Sequence, residues 1–221
     1  MDYDGYIEYN KHVANSYDVD RQEEIHWMLE NSYIQTLYKN LHISTLLDLP
    51  VGTGRFMQYY ENVKNIVGID ISEDMLNIAK KKALQLPYKI LLQKGDAFHL
   101  TYPNDFFLHT VCFRLMHLIP PDARQMFINE LTRVTRDKVI LQVYMENKLP
   151  LYKKIISKFQ CLLNRSDKNP KPWSHINAYK LSEFDFNILV RVANLKIAKK
   201  TLLCNYQGEN VYVYELSKIN D

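Results

Sequence analysis

The chain has 221 residues, 47% of them apolar and 24% charged, with a formal net charge of +3. That length suits one domain and is enough to bury a core without disulfide or metal staples. The balance excludes a disordered or coiled-coil chain. The small positive charge, split among Lys80–Lys82, Lys153–Lys154 and Lys199–Lys200, is no nucleic-acid footprint.

Cys112, Cys161 and Cys204 are far apart and lack CxxC spacing, so neither a disulfide framework nor a zinc site is expected. The polar, acidic start from Met1 to Tyr9 does not read as a secretory signal. No apolar run nears the roughly 18 residues of a membrane span. These features predict a cytoplasmic protein with no membrane partner.

Arg21 to Leu41 repeats apolar residues near a 3.6 period (Ile25, Met28, Leu29, Tyr33, Leu37, Leu41) and predicts a helix. Thr45 to Leu49 predicts a strand, Gly54 to Asn62 a helix and Asn65 to Ile71 a second strand. Ser72 suits the N-cap of a helix from Glu73 to Leu84. Tyr88 to Gln93 and Phe107 to Arg114 predict strands three and four. Pro121 to Val134 predicts a helix opened by prolines, and Lys138 to Tyr144 a fifth strand. Beyond it come an amphipathic helix over Leu149 to Asn164, a polar stretch over Arg165 to Asn177, and a helix over Ser182 to Ala193. Leu195 to Cys204 and Val211 to Leu216 flank a turn and predict a hairpin. The alternation predicts an α/β fold: a doubly wound, mostly parallel seven-stranded sheet with a C-terminal antiparallel hairpin and helices on both faces.

The segment Asp48-Leu49-Pro50-Val51-Gly52-Thr53-Gly54-Arg55-Phe56 follows the first strand. Gly52 and Gly54 let backbone approach a ligand, and in a doubly wound sheet this loop lies where ligands bind. Two glycines also suit an ordinary tight turn. Asp70 ends the second strand, 22 positions after Asp48, where a carboxylate can accept from ribose hydroxyls. Asp96 ends the third, where a carboxylate can receive the adenine amino group. Acids at three successive strand ends predict a nucleoside site. The missing third glycine counts against a nicotinamide dehydrogenase, and the missing Gly-Lys-Ser/Thr excludes a P-loop.

These segments resemble the class I S-adenosylmethionine-dependent methyltransferases over about Tyr9 to Leu216. Residues 48–54 match acidic-x-Gly-x-Gly-x-Gly, with Pro50 at the first glycine. Val67 to Ser72 matches the second-strand motif, Gly95-Asp96-Ala97 the adenine motif and Phe113 to Ile119 the fourth-strand motif. Glu130 to Val134 resembles the helix before the fifth strand. The resemblance implies S-adenosyl-L-methionine as cofactor, held by Asp48, Leu49, Pro50, Gly52, Gly54, Asp70, Ile71, Met75, Asp96, Ala97, Phe113 and Arg114. Pro50 has no N–H to offer the methionine carboxylate. Tyr17 and Arg21 are candidates for that contact, or they only cap the N-terminal helix.

The resemblance further implies one domain over 1–221, with residues 1–41 as a helical lid carrying Trp27 and Tyr33, and 146–180 as a substrate-side insertion. His117 and His175 are candidate bases, and Trp173 and Tyr179 candidate substrate contacts; each could also be a packing residue. No metal is expected. Asp/Asn-Pro-Pro-Tyr/Phe is absent after the fourth strand, and Cys112 is not followed by proline. The expectation is therefore methyl transfer to O or N of a small molecule, of the kind met in secondary metabolism, by a monomer or homodimer with no nucleic-acid partner. Two readings stay open beside it: an enzyme that transfers the cofactor's aminopropyl group or cyclises it, and a non-catalytic cofactor-binding protein.

Overall fold

A computed structural model describes residues 11–146 and 179–219. Two helices, α1 (Lys11–Arg21) and α2 (Ile25–Tyr38), precede the sheet. The strands are β1 (Ile43–Asp48), β2 (Val63–Asp70), β3 (Ile90–Lys94), β4 (Phe107–Cys112), β5 (Thr135–Glu146), β6 (Leu195–Tyr206) and β7 (Glu209–Lys218). Helices α3 (Glu73–Ala83), α4 (Arg124–Val134) and α5 (Glu183–Val192) lie between them. The strands form one sheet in the order β3-β2-β1-β4-β5-β7-β6. The first five run parallel, and β7 is antiparallel to both β5 and β6. The expected seven-stranded doubly wound sheet with its C-terminal hairpin is present. The order reverses beside β1, so the carboxyl ends of β1, β2, β3 and β4 share one rim.

The central strands are buried on both faces, as parallel strands with helical crossovers must be, and the edge strands β3 and β6 are largely exposed. Adjacent residues of one strand point to opposite sides. Leu47, Cys112, Leu141 and Leu216 join α4 and α5 through Phe127, Leu131, Phe186 and Val190. Leu46, Val111, Ile140 and Val213 join α2 through Ile34 and Tyr38. The hairpin turn is tighter than the sequence suggests. Gln207 (φ 50°) and Gly208 (φ 84°) make a two-residue turn, and positive φ at both positions matches the right-handed strand twist.

Two elements differ from the sequence reading. The expected helix from Arg21 to Leu41 is α2, which starts only at Ile25, after residues 22–24 separate it from α1, and its buried face is offset. His26, Trp27, Glu30, Ile34 and Tyr38 are buried, whereas Ile25 and Met28 are exposed. Two polar residues on the inward face blur its apolar period, which shifts the apparent stripe. The expected helix from Gly54 to Asn62 is absent. Gly52 (φ 56°) and Gly54 (φ 78°) hold left-handed backbone that no α-helix start accommodates, and only a 3-10 turn, Met57–Tyr59, follows. The amphipathic helix expected over Leu149 to Asn164 lies outside the described residues, as do Trp173 and His175.

Candidate active site

The loop after β1 packs onto β2 because Gly68 has no side chain; a Cβ there would meet Val51 Cγ2 at 2.8 Å. Val51 N–H donates to Ile69 O at 2.8 Å, and Gly52 N–H donates to Asp70 Oδ2 at 2.8 Å. Ser72 N–H donates to Asp70 Oδ1 at 2.9 Å. Ser72 also caps α3 by accepting from Met75 N–H. Asp70 is thus fixed by one amide at each oxygen. A carboxylate has about four acceptor sites, so both oxygens keep capacity for a ligand.

An open cavity lies on this rim. Its walls come from every strand end named above. After β1 come Leu49, Pro50, Val51, Gly52, Thr53, Arg55 and Phe56; after β2 Asp70, Ile71 and Met75; after β3 Gly95, Asp96, Ala97 and Phe98; after β4 Phe113, Arg114, Leu115 and Leu118. Tyr17 from α1 and Trp27 from α2 close it, their rings edge-on at 6.0 Å. Helix α1 is tied down by Asp18, which accepts from Thr53 Oγ1 at 2.7 Å and from the Lys82 ammonium. Asp96 is half exposed; it accepts from Phe98 N–H at 2.9 Å and faces His99 Nδ1 at 3.2 Å.

Opposite Asp70 and Asp96 lies a buried ionic network. Glu30 on α2 is fully buried and accepts from Arg55 Nη2 at 2.6 Å and Gln142 Nε2 at 2.5 Å, with Arg114 Nε at 3.6 Å. Gln142 on β5 also accepts the Arg114 N–H at 2.9 Å, holding that residue in its left-handed backbone (φ 59°). A long side chain at positive φ is uncommon and clusters at functional sites. Burial works against ionised Glu30, but the Arg114 and Arg55 charges keep its carboxyl below the usual range. Glu24 faces Arg21, His26 and Arg114. Burial raises it, yet the His26 hydrogen bond and the two arginines hold it at about 2.

Eleven of the fourteen expected cofactor contacts line the cavity: Tyr17, Leu49, Pro50, Gly52, Asp70, Ile71, Met75, Asp96, Ala97, Phe113 and Arg114.

 The remaining three, Arg21, Asp48 and Gly54, lie elsewhere. Arg21 stacks over Tyr17 at 4.5 Å and pairs with Glu24. Gly54 packs under the loop, where a Cβ would meet Met57 Cε at 2.2 Å. Asp48 is buried beneath the loop and accepts from Tyr60 Oη at 3.1 Å. Its role in this geometry is to anchor the turn.

The candidate base His117 is also outside the cavity lining. It sits in the 3-10 turn Met116–Leu118, its ring 4.6 Å from that of Tyr144. Burial, with the Arg114 and Arg21 charges, pushes its imidazole down to about 3. Its carbonyl accepts from Tyr179 N–H at 2.8 Å; Tyr179 is exposed and does not reach the described cavity wall. The sequence reading missed Arg55, Glu30 and Gln142. Arg55 adjoins Gly54 in the loop and was within reach of it; Glu30 and Gln142 carry no local signal. No cluster of metal-binding side chains occurs among the described residues, and no helix there is long and apolar enough to cross a membrane.

Burial raises the Asp48 carboxyl from its ordinary 3.8 to about 7, despite the Tyr60 hydrogen bond. A folded-state value above the unfolded one penalises folding as the acid ionises, so the penalty is absent below about pH 4, grows through pH 7 and is constant above it. Asp48→Asn removes it. The stability of the variant relative to the parent is expected to rise by about 2–3 kcal/mol between pH 5 and pH 8. Urea unfolding at both pH values measures this, and a pH-independent difference contradicts it.

Residues 46–138, from within β1 to within β5, match the family described as a methyltransferase domain. The seven-stranded sheet with its C-terminal antiparallel hairpin is the fold of the class I S-adenosylmethionine-dependent methyltransferases. Among curated relatives it is 31% identical over 123 residues to a phosphatidylethanolamine N-methyltransferase of Cereibacter sphaeroides, covering 52% of this chain and 59% of that one. It is 32% identical over 117 residues to a demethylmenaquinone methyltransferase of Lactobacillus johnsonii, covering 48% and 47%. The chain thus spans about half the length of these relatives. Among solved structures, magnesium protoporphyrin IX methyltransferase of Synechocystis with bound S-adenosylhomocysteine has a TM-score of 0.67 at 16% identity, covering 95% of this chain and 98% of that one. A Methanosarcina mazei S-adenosylmethionine-dependent methyltransferase has a TM-score of 0.66 at 17% identity, covering 85% and 98%. At these identities the structural likeness speaks for the fold.

Proposed function

We propose that the chain transfers the methyl group of S-adenosyl-L-methionine to an oxygen or nitrogen of a small molecule. The observation that carries this reading is Asp70: buried on the cavity wall, clamped by two amides, with acceptor capacity left at both oxygens. The cavity suits the group in two further respects. A Cβ on Gly52 would meet nothing within 4 Å, so open space adjoins the loop. Asp96 stands one strand further along the same rim.

When bound, the cofactor supplies an electrophilic methyl group. The protein's part is then chiefly positioning. Asp70 receives the ribose hydroxyls and Asp96 the adenine amino group. Leu49, Ile71, Met75, Ala97 and Phe113 supply apolar packing, and Tyr17 and Trp27 keep water out. The small-molecule acceptor draws support from relatives named for a phospholipid, a quinone and a porphyrin. Incubating the protein with methyl-labelled cofactor and a small-molecule extract tests the reaction. Label should pass into extract components as S-adenosylhomocysteine forms; label confined to the cofactor or to methylthioadenosine would overturn methyl transfer.

Asp70 also sets a pH dependence. Burial raises it to about 6, against the amide hydrogen bonds from Ser72 and Gly52. The ionised form is the ribose acceptor, so affinity for S-adenosylhomocysteine should be level above about pH 7 and fall by up to about tenfold per unit below pH 6. Calorimetry from pH 5 to pH 8 measures it, and a flat profile speaks against the role of Asp70.

A further inference from the structure

We propose that Arg55 and Arg114, preset by Glu30 and Gln142, form the subsite for the cofactor's methionine carboxylate, in place of the glycine-loop amides. This inference rests on the cofactor reading above. Its starting point is a count of donors. Pro50 has no N–H. The Val51, Gly52 and Gly54 amides donate to Ile69 O, Asp70 Oδ2 and Val51 O. The Thr53 hydroxyl donates to Asp18. The amide positions of Pro50, Val51, Gly52 and Gly54 are therefore without a donor or already committed, as is the Thr53 hydroxyl, and an anion beside them gains from a charged side-chain partner.

Strand order says where that partner stands. Along the rim come Asp96 after β3, Asp70 after β2, the loop after β1 and Arg114 after β4. Neighbouring strands are about 4.8 Å apart, so the end of β4 lies about 10 Å from that of β2. Adenine, ribose, sulfur and amino-acid end follow one another in the cofactor in the same sequence. Both arginines line the cavity, and Nη1 of each is buried without a hydrogen-bond partner. Both lie against Trp27, with guanidinium carbons 3.8 and 5.5 Å from its ring centre. They share the carboxylate of Glu30, and Arg114 shares Glu24 with Arg21, so their charge is only partly offset. Glu30 and Gln142 touch no ligand in this account; they are positioning residues that hold the two guanidiniums.

The test compares S-adenosylhomocysteine with its decarboxylated form, the same thioether ending in a propylamine, by calorimetry. The unaltered protein should bind the carboxylate-bearing ligand about 10- to 100-fold more tightly, as charge-assisted hydrogen bonds require. Arg114→Met and Arg55→Met should each shrink that ratio severalfold while affinity for the decarboxylated ligand holds. Equal binding of both ligands by the unaltered protein overturns the proposal. So does an unchanged ratio in both variants, or an equal loss of both ligands, which assigns the arginines a structural role. Binding of neither ligand by the unaltered protein instead defeats the cofactor reading itself.

Discussion

Replacing Asp70 with alanine is expected to weaken S-adenosylhomocysteine binding at least about 100-fold. Each carboxylate oxygen has one acceptor site taken by an amide, from Gly52 and from Ser72, and one left for a ribose hydroxyl. A hydrogen bond to a charged group contributes about 1.5–3 kcal/mol, so losing two corresponds to about 10²- to 10⁴-fold in affinity. Alanine also frees the Gly52 amide, and the loop then loses the contact that fixes its distance from β2. Asp70→Asn keeps one acceptor oxygen and should fall between parent and alanine variant. Calorimetric titration of the three proteins decides the matter. Affinity of Asp70→Ala within threefold of the parent would falsify the assignment.

Glu30→Ala should cause the largest loss of stability. The side chain is fully buried, and it is the shared counter-charge of Arg55 and Arg114. Removing one partner of a buried ion pair typically costs about 3–5 kcal/mol, because the remaining charge is left uncompensated. For a chain of this size that corresponds to a fall of about 10 °C in Tm. Glu30→Gln keeps the shape and part of the hydrogen bonding, and should lose less. Combining Glu30→Leu with Arg55→Met should recover part of the loss, since replacing a buried pair by apolar groups is often neutral. Thermal melts of these variants check the order. A Glu30→Ala melt within about 2 °C of the parent means the network is not a structural anchor.

The sheet was legible because its signals are local. Short apolar strands, the Ser72 cap and the turn before β7 all act within a few residues of chain. The strand-end acids were legible for a related reason: Asp70 and Asp96 close strands whose positions the apolar pattern had already marked. Asp48 shows the limit of that logic. It ends β1 in the same way, yet its side chain turns under the loop to Tyr60, and only packing decides between those directions. Helix α2 shows another limit. Its inward face carries Glu30 and His26, and these look like surface residues until Arg55, Arg114 and Gln142, from three distant parts of the chain, are seen around them. Gly54 is also instructive. Its motif position suggests ligand approach, whereas the close Met57 side chain gives it a packing reason to lack a Cβ.

The departure at Pro50 therefore changes what the loop contributes. It shapes the cavity, fixes Asp70 and carries Arg55, which in the proposed subsite takes the charged end of the ligand together with Arg114 after β4. The most direct measurement of the central claim is calorimetric titration of the unaltered protein with S-adenosylhomocysteine at pH 7.5. The account predicts saturable binding of one ligand per chain that is lost in Asp70→Ala. Absence of any binding heat or thermal stabilisation by the ligand would contradict it.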